Sequence, residues 1–419
     1  MKRSSVIALA TALALSACGD QSAIPTSPEP SFSRGNGGSQ VVTTNADAGP
    51  GSLRSAIEQA NADPSVRRIR FDRNVGQIDL QSTLTYAGSQ DLVIEARGAV
   101  IDGSAIGDVL VATGGASLSL RDLVVQNAGA DGIVVQVPAA ATGVVSLEMA
   151  GVILVGNGEF GAHLDDQSSG SAASLRLLLD RVTVANNGFA LGIDDKDGIR
   201  VDEGGEGDIV FHFTRVIVTG NAADGIELDE KGTGDVRGVI QHSTFDDNGT
   251  QPQLPSDLED GFDIDEADDG SIVVEMVDVS ASRNSDGGID LDEEGAGDII
   301  MQFTRVVAVD NAEENIKASE DANVEDTADP DDGNGGVEFF FVNVRSTGSG
   351  DNGIQFEEFG NGDVNGTFVQ VRSNDNADDG VNIDQTDNGG GTVRLIASEF
   401  TGNADKNINI KGVTVVQHP

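Results

Sequence analysis

Between residues 207 and 230 the apolar positions fall into three short alternating sets: Ile209, Phe211 and Phe213, then Val216 and Val218, then Ile226 and Leu228. Polar residues fill the positions between, and turn residues separate the sets. This is the period-two signature of strands with one apolar face. The same layout recurs along the chain. The second residue of each Asp-Gly-like phrase falls at Gly132, Gly161, Gly198, Gly225, Gly261, Gly288, Asn315, Gly353, Gly380 and Asn407, with spacings of 29, 37, 27, 36, 27, 27, 38, 27 and 27. The unit is 27 residues, lengthened by about ten where an insertion enters.

Punctuation inside the unit is fixed as well. An Asn stands four residues before the glycine position at Asn221, Asn284, Asn311, Asn376 and Asn403, and a Gly stands fourteen residues before each of Asn221, Asn248, Asn284, Asn311, Asn376 and Asn403. One unit cannot bury its own apolar edge, but units stacked along an axis can, and each backbone then pairs with the coil above and below. The pattern therefore predicts a parallel β-solenoid. Asn at a repeated turn suits left-handed backbone geometry and can hydrogen-bond to its copy in the next coil, a structural role.

Composition agrees with an all-β chain. The sequence of 419 residues has 54 Gly, no Trp, one Tyr and one Cys, so intramolecular disulfides do not hold it together. Asp+Glu number 70 against 25 Lys+Arg, a formal net charge of -45. A field of that sign repels phosphates, which disfavours nucleic acid or an anionic membrane surface and favours divalent cations as partners. Lys2 and Arg3 precede the apolar run VIALATALAL, and LSAC at 15–18 follows, which reads as a lipoprotein signal peptide (1–18) ending at a lipidated Cys18. The apolar run is too short to span a bilayer, so the membrane is reached only through the lipid. Residues 19–40 are rich in Pro, Gly and Ser and read as a flexible tether. The expected location is the bacterial outer membrane or cell surface.

The stretch DAGPGSLRSAIEQANAD at 47–63 has helical apolar spacing at Leu53, Ile57 and Ala60, and strands such as RRIRFD and LVIEARGAVIDG follow it. This opening resembles that of right-handed parallel β-helix proteins of the pectin-lyase-like superfamily. There a GSLR-x-AI-x-x-AN capping helix precedes I-x-FD, a Gly-Ala-x-I-x-Gly turn and L-x-L-x-x-L-x-V-x-N, the last written here as LSLRDLVVQN at 118–127. The resemblance covers residues 41–415. It implies an all-β, right-handed parallel β-helix of about 11–12 coils, with a short helical cap at 41–64 and the β-helix at 65–419. The scaffold carries lyases, hydrolases, adhesins and proteins without known chemistry, so fold alone assigns no activity.

Aligning the repeats places three acidic columns on one wall. The first runs His163, Arg200, Glu227, Asp263, Asp290, Lys317, Gln355, Asn382, Asn409; the second Asp165, Asp202, Asp229, Asp265, Asp292, Ser319, Glu357, Asp384, Lys411. The third runs Asp166, Glu203, Glu230, Glu266, Glu293, Glu320, Glu358, Gln385, and is expected to face outward at the start of a turn. Coils stack about 4.8 Å apart. Like charges at that spacing repel by roughly 1 kcal/mol in water and about 3.5 at an effective dielectric of about 20. Hard oxygen donors at this density suit Ca²⁺, which accepts six to eight oxygens in loose geometry. The expected ligands are Asp202, Glu203, Asp229, Glu230, Asp263, Asp265, Glu266, Asp290, Asp292 and Glu293. The alternative is a solvated acidic face neutralised by diffuse counterions. His163, His212, His242 and His418 show no metal-ligand spacing.

In polysaccharide lyases that this chain resembles, Ca²⁺ carboxylates stand beside a Lys or Arg that abstracts a sugar-ring proton. The resemblance makes Lys317, and secondarily Arg200, the candidate bases. Acidic neighbours raise a Lys pKa and spoil it as a base, so relief of column repulsion is the competing role. With no Trp, and Tyr86 expected far from the acidic face, a sugar-stacking cleft is not evident. The preferred reading is a lipid-anchored, elongated, Ca²⁺-loaded binding or adhesive module for a polysaccharide or surface protein. A Ca²⁺-dependent lyase of an acidic polysaccharide and a purely structural spacer are the alternatives.

Overall fold

A computed structural model describes residues 37–190, 195–250, 259–320, 335–386 and 388–418. Cys18, the signal segment and most of the tether lie outside these residues, as do the inserted stretches 251–258 and 321–334. Each repeat closes one coil with three strands, for example Ile209–Thr214, Ile217–Thr219 and Ile226–Glu230. Each strand pairs in parallel with its counterpart one repeat later: Ile209 beside Val236, Ile217 beside Thr244, Ile226 beside Phe262. The result is a right-handed parallel β-helix, with a 12-stranded sheet as one wall and a 22-stranded sheet forming the other two. The strand Gly38–Val42 already pairs with Val66–Phe71, so the solenoid begins inside the segment read as tether.

The helix Leu53–Ala62 starts where the Ser52 side chain accepts the Ser55 N–H at 3.2 Å. This cap satisfies one of the orphan donors of the first turn. Leu53, Ala56, Ile57 and Ala60 are buried against the first coils. Polar side chains tie it there: Asn61 Nδ2 donates to Thr85 O at 2.9 Å and accepts the Ala87 N–H through Oδ1 at 2.8 Å. The helix thus covers a strand edge that would otherwise offer free backbone groups.

Inside the coils, Ile209, Phe211, Phe213, Val218, Ile226 and Leu228 are all at most 2% exposed. The corner between the first two strands is one residue in left-handed geometry: Arg215 (φ 56°), His242 (53°), Asp278 (57°) and Arg305 (56°) are four of its copies. That conformation costs a non-glycine residue about 1–2 kcal/mol. The interstrand ladder imposes it, since Arg215 N–H still donates to Gln241 O at 3.0 Å and His242 N–H to Val277 O at 2.9 Å.

The asparagine column stacks as its spacing predicts. Nδ2 donates to Oδ1 of the next coil from Asn157 to Asn187 (2.9 Å), Asn187 to Asn221 (3.0 Å), Asn221 to Asn248 (3.0 Å), Asn248 to Asn284 (3.2 Å) and Asn284 to Asn311 (3.0 Å). The left-handed residue of this corner is the one before the Asn, such as Gly220 (φ 67°) or Asp247 (64°), and not the Asn itself. A Cβ on Gly225 would lie 2.3 Å from Gly261 O and 2.9 Å from Asn248 Nδ2, which explains the glycine at most copies of this position.

Candidate metal centre on the acidic wall

Strands Ile226–Glu230, Phe262–Glu266 and Ile289–Glu293 lie side by side in the 12-stranded sheet. Their register places Glu227, Asp263 and Asp290 in one column and Asp229, Asp265 and Asp292 in the next. Isoleucine, leucine and phenylalanine at the alternate positions face the core, so these carboxylates face out. The third column does not. Each strand runs through its terminal Glu, so alternation turns that side chain inward: Glu230, Glu266, Glu293, Glu320 and Glu358 are 0% exposed and Glu203 1%. The expectation that Glu203, Glu230, Glu266 and Glu293 join the outer carboxylates is corrected accordingly.

A further carboxylate column was missed. Asp197, Asp224 and Asp260 precede the glycine of the repeated phrase and are 0%, 5% and 9% exposed. Asp197 Oδ1 accepts the backbone N–H of Asp224 in the next coil at 3.1 Å, and Asp224 Oδ1 accepts that of Asp260. The signal was in the phrase itself, whose Asp-Gly served above only to mark the period.

Cations sit at both ends of this acidic stretch. Arg200 Nε donates to Asp202 at 3.0 Å, its Nη2 to Asp229 at 2.9 Å and its Nη1 to Glu227, with Asp197 at 3.6 Å. His163 Nε2 approaches the other Asp202 oxygen at 2.6 Å, and Lys231 also binds Asp229. Burial pushes the Asp202 carboxyl up, but the His163 hydrogen bond and the Arg200 charge outweigh it and hold Asp202 well below the usual range. At the far end Lys317 Nζ donates to Asp290 and Asp292, each at 3.0 Å. Burial pulls the Lys317 pKa down, and those two carboxylates more than reverse this, so it remains an ammonium. Both residues singled out as candidate bases, Lys317 and Arg200, are placed as counter-ions.

In the coil between, Asp263 and Asp265 have no such partner among the described residues, and Glu227 shares Arg200. One oxygen each from Glu227, Asp263 and Asp265 lie within 4.8 Å of one another, as do oxygens of Asp197, Asp224 and Glu227. Burial, followed by the charges of Asp265 and Asp260, pushes Asp263 well above the usual carboxylate range. Burial and then Asp229 and Asp290 raise Asp265 to about 6. Burial and then Asp197 raise Glu227 to about 10 in spite of Arg200. Asp197 Oδ2 and Asp260 Oδ1, sealed from solvent, accept no hydrogen bond. Oxygens that converge at this separation can share one Ca²⁺, because Ca–O bonds of about 2.3–2.6 Å span up to about 5 Å across the ion. Glu227, absent from the expected ligands, is common to both clusters. Asp202 and Asp229 are already saturated by cations, and Asp290 and Asp292 share Lys317.

Tyr86 was expected far from this face. It lies in the strand Leu84–Tyr86 of the same sheet, but its ring is fully buried and its hydroxyl donates to Gln90 O. Among the described residues no helix is long and apolar enough to cross a membrane.

No protein-family model and no curated protein matches this chain. Solved structures with a similar course of chain include a pectate lyase (14% identity, TM-score 0.44, 90% of this chain and 79% of the other). The enzymatically active domain of a bacteriophage CBA120 tailspike is another (11%, 0.45, covering 81% of this chain and 44% of that one). A third is the A-module of an Azotobacter vinelandii mannuronan C-5 epimerase (12%, 0.32, 90% and 97%). The chain's own strand pairing makes it a parallel β-helix.

Proposed function

We propose that this chain is a lipid-anchored solenoid of the cell surface that takes up Ca²⁺ on its acidic wall and uses the loaded wall as an elongated binding surface. The observation that carries this reading is the middle coil. Among the described residues Asp263 and Asp265 have no cationic partner, whereas the same columns are neutralised by Arg200 toward one end and Lys317 toward the other. Glu227, Asp263 and Asp265 supply three of the six to eight oxygens Ca²⁺ accepts, which leaves positions for water and for oxygens of a partner. A partner rich in carboxylate or hydroxyl oxygens, such as an acidic polysaccharide, completes such a shell. Anchoring rests on the lipobox ending at Cys18.

The test is calorimetric titration with Ca²⁺ in buffers of different ionisation enthalpy. Carboxyls that hold protons must release them to the metal. With Asp265 at about 6 and Glu227 at about 10, apparent affinity should rise with pH and proton release should accompany binding. Absence of Ca²⁺ uptake at millimolar concentration removes the proposal. A Ca²⁺-dependent rise in unsaturated product from polygalacturonate or alginate, lost in Lys317→Ala, replaces it with the lyase reading.

A further inference from the structure

The inward glutamate column raises a separate question, answered at its end farthest from the cation cluster. Glu358 Oε1 accepts the N–H groups of Gly360 at 2.8 Å and Gly362 at 3.2 Å. Its Oε2 accepts the side-chain amide of Gln385, which occupies the equivalent position one coil later. Toward the preceding coil the register partner of Glu358 is Glu320; both residues are 0% exposed, and both Glu320 carboxyl oxygens are sealed from solvent with no hydrogen-bond donor in reach among the described residues. Two ionised carboxylates are acceptors only, so a hydrogen bond between them needs a proton on one. A metal ion is a poor substitute here. The turn N–H groups point their positive ends at these oxygens, and a pair of carboxyls offers far fewer than the six to eight oxygens that Ca²⁺ requires. Gln385 shows what the position is built to hold. It has the shape of a protonated glutamate, and its N–H donates permanently where an O–H would.

We infer that this column binds protons as its structural ligand: at neutral pH Glu320 and Glu358 share one proton in a carboxyl–carboxylate hydrogen bond that joins adjacent coils. Glu293 faces Glu320 from the coil before, Gln385 faces Glu358 from the coil after, and the Gly360 and Gly362 amides complete the polar surroundings of Glu358. Burial, then the charges of Glu293 and Glu358, raise Glu320 to about 9. An unfolded glutamate releases its proton near ~4.3. The folded state therefore binds the extra proton between these limits. Stability is full in mild acid and falls as pH rises through that window.

Infrared difference spectroscopy of the full chain at neutral pH tests this. The wild type should show the carbonyl stretch of a protonated, deuterium-exchangeable carboxylic acid, weakened in Glu320→Gln. Melting temperature should fall from pH 6 to pH 9 in the wild type. In Glu320→Gln or Glu358→Gln that fall should shrink, because one amide donor replaces one titrating proton. Chelator should leave this difference unchanged, which separates it from the outer wall. No protonated carboxyl band in the wild type overturns the inference even if both variants fail to fold. So does loss of a bound divalent ion in Glu320→Gln.

Discussion

The coils at 226–293 and those at 354–411 share one backbone register and differ in what they write at the same outward positions. The first column reads Glu227, Asp263, Asp290 in the middle of the solenoid and Gln355, Asn382, Asn409 toward its end. An amide carries donor and acceptor together, so neighbours in the late column can pair without an ion: Asn409 Nδ2 donates to Asn382 Oδ1 at 3.1 Å. The buried asparagine corner uses the same solution. A carboxylate column only accepts and must import positive partners, from Arg200 and Lys317 at its ends and, in the function proposed above, from a cation in the middle coil. Stacking is neutral about chemistry, and side-chain identity decides whether a column closes on itself or demands a ligand.

Three substitutions probe this contrast. Arg200→Met should do the most damage, about 3–5 kcal/mol, because it strips the partner from several buried carboxylates at once. Urea denaturation measures it, and Ca²⁺ should recover part of the loss if the vacated carboxylates can turn to metal. Asn248→Leu interrupts the corner column and strands the Asn221 amide and backbone N–H that Asn248 Oδ1 accepts. A cost of about 2–3 kcal/mol is expected, with no change in Ca²⁺ affinity. Asn382→Asp carries the acidic pattern into the late coils. It should cost about 1 kcal/mol or less at low salt and be relieved by salt or Ca²⁺, seen as a small shift in melting temperature.

The repeat length, the stacking and the outer columns were legible in the sequence because a parallel solenoid converts sequence period directly into spatial neighbours. The buried column was harder to read, since a carboxylate is by default an exposed residue and one position decides its direction. Its signature is nevertheless present: the Glu-x-Gly-x-Gly phrase recurs from Glu203, Glu230, Glu293 and Glu358. Glycine amides at the second and fourth following positions are the ones that cradle Glu293, each at 3.0 Å. From Glu203 to Gln385 the column is also uniform in side-chain length, unlike the outer two, which mix His, Arg, Lys and Ser. The left-handed corners at Arg215 and His242 had no such signature, because backbone pairing imposes them on whatever residue stands there. Asp197, Asp224 and Asp260 were overlooked because Asp-Gly is so ordinary a turn.

The claim that the middle coil is a cation site is tested most directly by Ca²⁺-dependent melting of the triple variant Glu227→Gln, Asp263→Asn, Asp265→Asn beside the wild type. Amides at these positions remove the mutual repulsion and the ligands together. The variant should therefore melt higher than the wild type in chelator and gain almost nothing from Ca²⁺, while the wild type gains several degrees at about 100 times its Kd, where linkage supplies about 2.7 kcal/mol. An equal Ca²⁺-induced rise in both proteins would contradict the account.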